Sequence, residues 1–189
     1  MLTLIFESHG TTTDNEHKIS SGWNDVSLSQ LGVKQAQELG ERYEDQTLAA
    51  IFCSDLERSY KTAELAFGDK YPIVKDARLR ECNYGNMNGA PKQEVEAYKA
   101  TAITTPYPNG ESYADTSKRM KAFLDDLLRS YDDKTVMVIG HRATQYGLEE
   151  WVNGIELKET VLAPWQWQAG WEYELTQDKL GVTERGYNA

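Results

Sequence analysis

Two of the three histidines in this 189-residue chain stand directly after short apolar runs of strand character. Thr3–Phe6 leads into Glu7-Ser8-His9-Gly10, and Thr135–Ile139 leads into Gly140-His141. Imidazole titrates near neutrality, which suits it to nucleophilic and acid–base work. Ligands of open α/β sheets bind beyond the carboxyl ends of the strands. Either histidine alone reads as a hydrogen-bonded structural residue. At two equivalent strand ends, each with a glycine that permits close backbone approach, the pair reads as one shared site. His17, in a polar loop, reads as solvated. Arg58 adds an independent cue, because it falls in the first turn of a helix, where a cation opposes the helix dipole at a cost of ~0.3–1 kcal/mol. Helix-terminal backbone donors and a guanidinium fork together suit a phosphate.

The elements that must position these groups follow from the spacing of apolar residues. Strand-sized runs alternate with helical patterns, which predicts an α/β fold around a largely parallel sheet. Ser27-Leu28-Ser29-Gln30 reads as a capping box opening a helix, with Leu31, Val33, Ala36, Leu39 and Tyr43 on its inner face. Ala49–Cys53 reads as a strand, and Ser54-Asp55-Leu56-Glu57 as the capping box of a helix reaching about Phe67. Pro72-Ile73-Val74 is a short strand. Ser112–Tyr131 is the clearest helix, its apolar residues recurring at three- and four-residue steps. Trp165–Leu175 is expected to supply a final strand, with its aromatic residues in core and sheet-edge packing, and Thr183–Ala189 a tail. No linker or repeat interrupts the chain, so a single domain over residues 1–189 is expected, with residues 82–110 as a lid or pocket wall.

Composition bounds the partners. Lys and Arg number 20 against 30 Asp and Glu, a net charge of −10. That excess of acid disfavours nucleic acid and anionic membrane surfaces, both of which call for clustered basic residues. Taken alone it also disfavours an anionic small molecule, an inference the motifs contradict. No apolar stretch approaches the ~20 residues of a membrane span. The N-terminus lacks a basic region and cleavage site, so a cytoplasmic location is the expectation. Cys53 and Cys82 form neither a disulfide framework nor a metal-type spacing.

Six segments, in order, resemble the histidine phosphatase superfamily, the phosphoglycerate mutase-like enzymes. His9-Gly10 with Thr12 and Asn15 is similar to the family's Arg-His-Gly signature and phosphate loop. Ser21-Gly22-Trp23 with Asp25 and Leu28 resembles the segment that follows, and Ser54-x-Leu56-x-Arg58 with Thr62-Ala63 the second arginine motif. Leu79-x-Glu81 with Tyr84-Gly85 resembles the acidic motif. Gly110-Glu111-Ser112 with Arg119, then Val138-Ile139-Gly140-His141, complete the set. The resemblance implies a three-layer α/β/α sandwich around a mostly parallel sheet. It also implies His9 as nucleophile, forming a phosphohistidine. Arg58, His141 and Asn15 would donate to the phosphoryl oxygens, and Glu81, unremarkable by its local sequence, would move the proton of the leaving or entering oxygen. Ser8, Gly10, Thr12, Ser21, Gly22, Tyr84 and Arg142 are further candidates for substrate contact. The implied partner is a small phosphorylated molecule, with no metal or other cofactor.

Two departures shape the functional reading. Ser8 stands where the family carries an arginine. Losing a bidentate, charge-assisted pair would cost ~3–5 kcal/mol, or about 10²–10⁴ in rate. Arg142, directly after His141, is the nearest candidate replacement; an altered substrate or a weakened enzyme are the alternatives. Residues 90–109, where the mutases carry a longer insertion with an arginine pair, contain no arginine, and Cys82-Asn83 replaces an Arg-His pair. A phosphatase is therefore the first expectation, a phosphoglycerate mutase-type phosphotransferase the second, and a weak or inactive phosphate-binding module the third.

Overall fold

Alternating side chains on the three central strands divide the molecule into layers. Leu4 and Phe6, Ala50 and Phe52, and Val136 and Val138 face one side of the sheet, whereas Ile5, Ile51, Cys53, Met137 and Ile139 face the other. This period of two, with both faces apolar, demands a helical layer on each side. The computed structural model describes residues 1–181. Its strands are β1 (Leu2–Ser8), β2 (Ile19–Ser20), β3 (Ala50–Cys53), β4 (Ile73–Lys75), β5 (Ala90–Pro91), β6 (Thr135–Gly140) and β7 (Trp171–Leu175). The helices are α1 (Thr13–Glu16), α2 (Gln30–Arg42), α3 (Glu57–Phe67), α4 (Lys92–Tyr98), α5 (Tyr113–Tyr131), α6 (Arg142–Asn153), α7 (Leu157–Leu162) and α8 (Gln177–Gly181).

The main sheet has the order β4-β3-β6-β1-β7, parallel except for the antiparallel edge strand β7. Leu39, Ala63 and Phe67 of α2 and α3 cover one face, and Met120, Phe123, Leu124, Leu148 and Trp151 of α5 and α6 cover the other. The fold is thus α/β with a mostly parallel central sheet between two helical layers. Register decides what meets at its upper edge. Ser8 lies opposite Gly140, and Cys53 opposite Ile139, so His9, His141 and Ser54 leave three adjacent strands at one level.

A third cluster holds the segment between β4 and α5. Val95, Ala102 and Tyr107 pack with Tyr113, Tyr146, Leu157 and Val161. The β2–β5 ribbon ties this segment to the loop after β1. Tyr84, Lys92 and Glu96 of this segment line the space at the sheet's carboxyl edge. Among the described residues no helix is long and apolar enough to cross a membrane.

Several local expectations are corrected. Ser29, not Ser27, caps α2, its hydroxyl accepting the Gly32 N–H at 3.2 Å. Ser27 instead donates to Glu57 at 2.7 Å, because the Thr12–Leu28 bridge keeps residue 28 extended. Leu31 of α2 is half exposed, and only Ala36 and Leu39 of its five proposed inner residues are buried. Helix α3 starts at Glu57 with no side-chain cap, so Ser54 is not its capping residue. The last strand begins at Trp171, leaving Trp165 and Trp167 in the loop before it. The expected tail, Thr183–Ala189, lies outside the described residues.

Candidate active site

His9 follows β1 with its backbone N–H still bonded to the Gly140 carbonyl at 3.2 Å. Its Nδ1 lies 2.7 Å from the Gly10 carbonyl oxygen. A carbonyl only accepts, so Nδ1 carries the ring proton and Nε2 is left with its lone pair. Burial pushes the His9 pKa down to about 3, with the Arg58 charge adding to the shift. The ring is therefore neutral across the physiological range. Gly10 is required where it stands: a Cβ there would lie 2.6 Å from the Gly32 carbonyl oxygen.

His141 caps the start of α6, its ring centroid 5.0 Å from that of His9. The two are tied to the scaffold differently. Ser54 Oγ lies 2.7 Å from His141 Nε2, and Thr144 Oγ1 accepts the His141 backbone N–H at 2.9 Å. Nδ1 of His141 has no hydrogen-bond partner among the described residues. The imidazole is 1% exposed, and burial, then Arg58, holds its pKa well below the ordinary value. The Ser54 hydroxyl thus orients the second histidine instead of starting a helix.

Arg58 is 2% exposed and reaches the carbonyls of Gly22 at 2.7 Å and Asn24 at 3.1 Å. Neutral acceptors hold the guanidinium, and no carboxylate among the described residues pairs with it. Its charge is left for something else. Burial lowers its pKa, with Glu81 the leading opposing charge, yet an arginine stays protonated in a protein. Gly22, at φ +54, turns the loop so that its carbonyl faces Arg58.

Glu81 is buried in the segment between β4 and α5. Its Oε1 accepts the backbone N–H of Cys82 at 2.8 Å and of Ala143 at 3.2 Å, the latter in the first turn of α6. Arg119 Nη2 and Trp23 Nε1 donate to the Glu81 carbonyl at 2.9 and 2.7 Å, fixing the backbone beneath it. Position 81 had no local signal because these partners lie 38 and 58 residues away in sequence.

One cavity of about 550 Å³ gathers Ser8, His9, Gly10, Asn15, Ser21, Gly22, Arg58, Glu81, Tyr84, His141 and Arg142. Thr12 is the exception among the twelve candidates. It is fully buried and caps α1, exchanging hydrogen bonds of 3.1 and 3.0 Å with Asn15, so it holds the loop and does not line the cavity. The same exchange uses Asn15 Oδ1, and its amide donors have no partner among the described residues. Arg142 does face the cavity, but Glu96 takes its Nη1 at 2.8 Å and the Tyr146 and Trp165 rings flank it. Sequence reasoning passed over Arg42, Lys18 and Trp167, which also line it. Their positions in sequence carry no signal, since each is brought in by its own element. Among the described residues no group of three His, Cys, Asp or Glu side chains is placed to hold a metal ion.

Comparison with known proteins identifies the family. Residues 4–173 match the model of the histidine phosphatase superfamily, branch 1. An uncharacterized phosphatase, PhoE, of Bacillus subtilis is 30% identical over 86% of this chain and 84% of its own. A probable phosphoglycerate mutase, GpmB, of Proteus mirabilis is 31% identical over 75% of this chain and 70% of its own. Among solved structures, YhfR of Bacillus stearothermophilus superposes with a TM-score of 0.83 at 26% identity, covering 94% of this chain and 93% of that one. A mycobacterial glucosyl-3-phosphoglycerate phosphatase bound to VO3 gives 0.72 at 26% identity, covering 84% and 85%. The chain, from its sheet order to the paired histidines at the strand ends, belongs to the histidine phosphatase superfamily.

Proposed function

We propose that the protein is a phosphatase that hydrolyses a small phosphomonoester through a phosphohistidine on His9. The observation that carries the reading is the 2.7 Å contact of Nδ1 with the Gly10 carbonyl, which leaves an unprotonated Nε2 beside an unpaired, buried guanidinium. Nε2 attacks phosphorus; the N–P bond forms as the P–O bond to the leaving group breaks. The departing oxygen takes a proton from the Glu81 carboxyl. Water then gives that proton back to Glu81 as its oxygen attacks phosphorus, the N–P bond breaks, and inorganic phosphate leaves. Arg58, His141 and the Asn15 amide donate to the phosphoryl oxygens, where charge is spread in the transition state.

The acid and the second histidine share one support. Ala143, whose N–H meets Glu81, lies two residues after His141 at the start of α6. This couples the proton donor's position to that of the phosphate donors. Such mutual positioning contributes much of the rate in phosphoryl transfer.

The test is a panel of simple phosphomonoesters and phosphoglycerates, with free phosphate and isomerised product both measured. Alkali-stable, acid-labile phosphate on His9 and release of inorganic phosphate are expected. Isomerised phosphoglycerate without free phosphate would select the mutase-type reading. No label and no turnover on any donor would select the binding module.

A further inference from the structure

The cavity runs past His9 to a second end built around Arg42. Glu7 lies two residues before His9 on β1, with its side chain 3% exposed. Its Oε1 accepts from Arg42 Nη1 at 2.8 Å and from the Tyr43 hydroxyl at 2.8 Å. A buried ion pair is a poor device for stability, since desolvating both charges costs about what their attraction returns. It is a good device for holding a guanidinium in one place. The Arg42 side chain is 33% exposed, and among the described residues its hydrogen bond to Glu7 uses only Nη1. The Trp167 and Tyr43 rings lie 5.8 and 5.9 Å from its Cζ, bracketing the guanidinium. The other donors of the fork have no partner among the described residues. Ser8, beside them, brings no charge of its own. Glu38, the other carboxylate at this end, is half exposed and paired outward with Lys34 at 3.6 Å.

We infer that Arg42 is a specificity-determining residue, recognising a second anionic group, carboxylate or phosphate, on the leaving portion of the substrate. The inference rests on the phosphatase reading, which places the first phosphate at His9. Two residues of strand span roughly 7 Å, which sets the order of the separation between the two anions. A cavity of about 550 Å³ has room for such an extended molecule, and falls within the usual size of small-molecule sites. A fixed fork meets two oxygens at once, which a flexible lysine at the same place does not.

The experiment compares matched substrates on the whole protein. Terminal phosphomonoesters of alkanoic acids, graded in chain length, are set against their amides, and α,ω-bisphosphates against the corresponding monophosphorylated diols. The wild type should prefer the partner carrying the second anionic group at least tenfold in kcat/KM at the fitting length, with the difference in KM. Arg42→Gln should bring that ratio close to one, and Arg42→Lys should restore it only in part. Preference confined to the bisphosphates or to the acids identifies which oxyanion the fork takes. A wild-type ratio near one at every length, or an unchanged ratio in Arg42→Gln, overturns the inference. If no ester is hydrolysed, the phosphatase reading fails instead. Calorimetric binding of the same acid–amide pairs then tests the subsite alone, with equal affinities overturning it.

Discussion

Arg58 and Arg142 face one cavity and dispose of their charge in opposite ways. Arg58 is buried and held by two backbone carbonyls, so its full charge acts on the site. Arg142 is partly exposed, ion-paired to Glu96 and flanked by two aromatic rings. The histidines carry the mark of Arg58: burial depresses both pKa values first, and the Arg58 charge adds to the shift. A positive residue near a phosphate site is therefore not yet a phosphate ligand. What it is already bonded to decides how much of its charge remains, and proximity in sequence to His141 says nothing about that.

The sharpest way to break the comparison is Arg58→Met, which should lower kcat/KM by about 10³-fold or more at full secondary structure, as expected for losing a preorganised charged donor. A loss below tenfold by steady-state kinetics would remove Arg58 from the phosphoryl site. Stability against pH comes next. Both histidines have depressed native pKa values, so the unfolded chain takes up protons below about 6.5 while the native state does not. Their stabilising contribution is complete above that pH and declines as pH falls, by up to about 1.4 kcal/mol per unit for each histidine, toward about 3 for His9. Urea unfolding at pH 6.5 and 5.5 should show the decline, and Arg58→Met should keep it, because burial, the larger cause of the depression, remains.

Arg142→Ala should cut phosphatase activity by about tenfold, or ~1.4 kcal/mol of barrier. Wild-type activity in that variant would end its candidacy as the replacement for the arginine missing at Ser8. Ser54→Ala removes a neutral hydrogen bond that orients His141, and should reduce kcat roughly fivefold. Smallest of all, Glu96→Gln frees the Arg142 guanidinium and should lower KM for an anionic ester about twofold, since half-exposed pairs carry little energy. A KM that rises instead would mean Glu96 holds Arg142 in its working position.

Much of the frame was legible before any coordinates. The runs Thr3–Phe6 and Thr135–Ile139 are strands because apolar and β-branched residues are concentrated in them. Helix α5 was legible because Met120, Phe123, Leu124, Leu127 and Leu128 repeat at helical steps, and all five are buried. Caps were harder. Ser54-x-x-Glu57 has the pattern of a capping box, but the serine hydroxyl finds a better partner in His141, 87 residues away. Of the two loop tryptophans, Trp165 packs on a core cluster and on Trp171 as expected, and only Trp167, 58% exposed, departs from core packing. Trp171 packs on Phe6, at 5.7 Å between centroids, whereas Trp167 turns toward the cavity and Arg42.

By itself the sequence determined the sheet's strands, the glycines that make room at Gly10 and Gly140, and the placing of two histidines at strand ends. These depend on composition and spacing within a few residues, where backbone geometry leaves few choices. Tertiary structure alone decided which cations keep their charge, that Glu7 would recruit Arg42 across 35 residues, and that Glu81 would sit on the start of α6. Such choices are made between distant segments competing for the same buried donors and acceptors. Only the folded register, with Ser8 against Gly140, brings the competitors together.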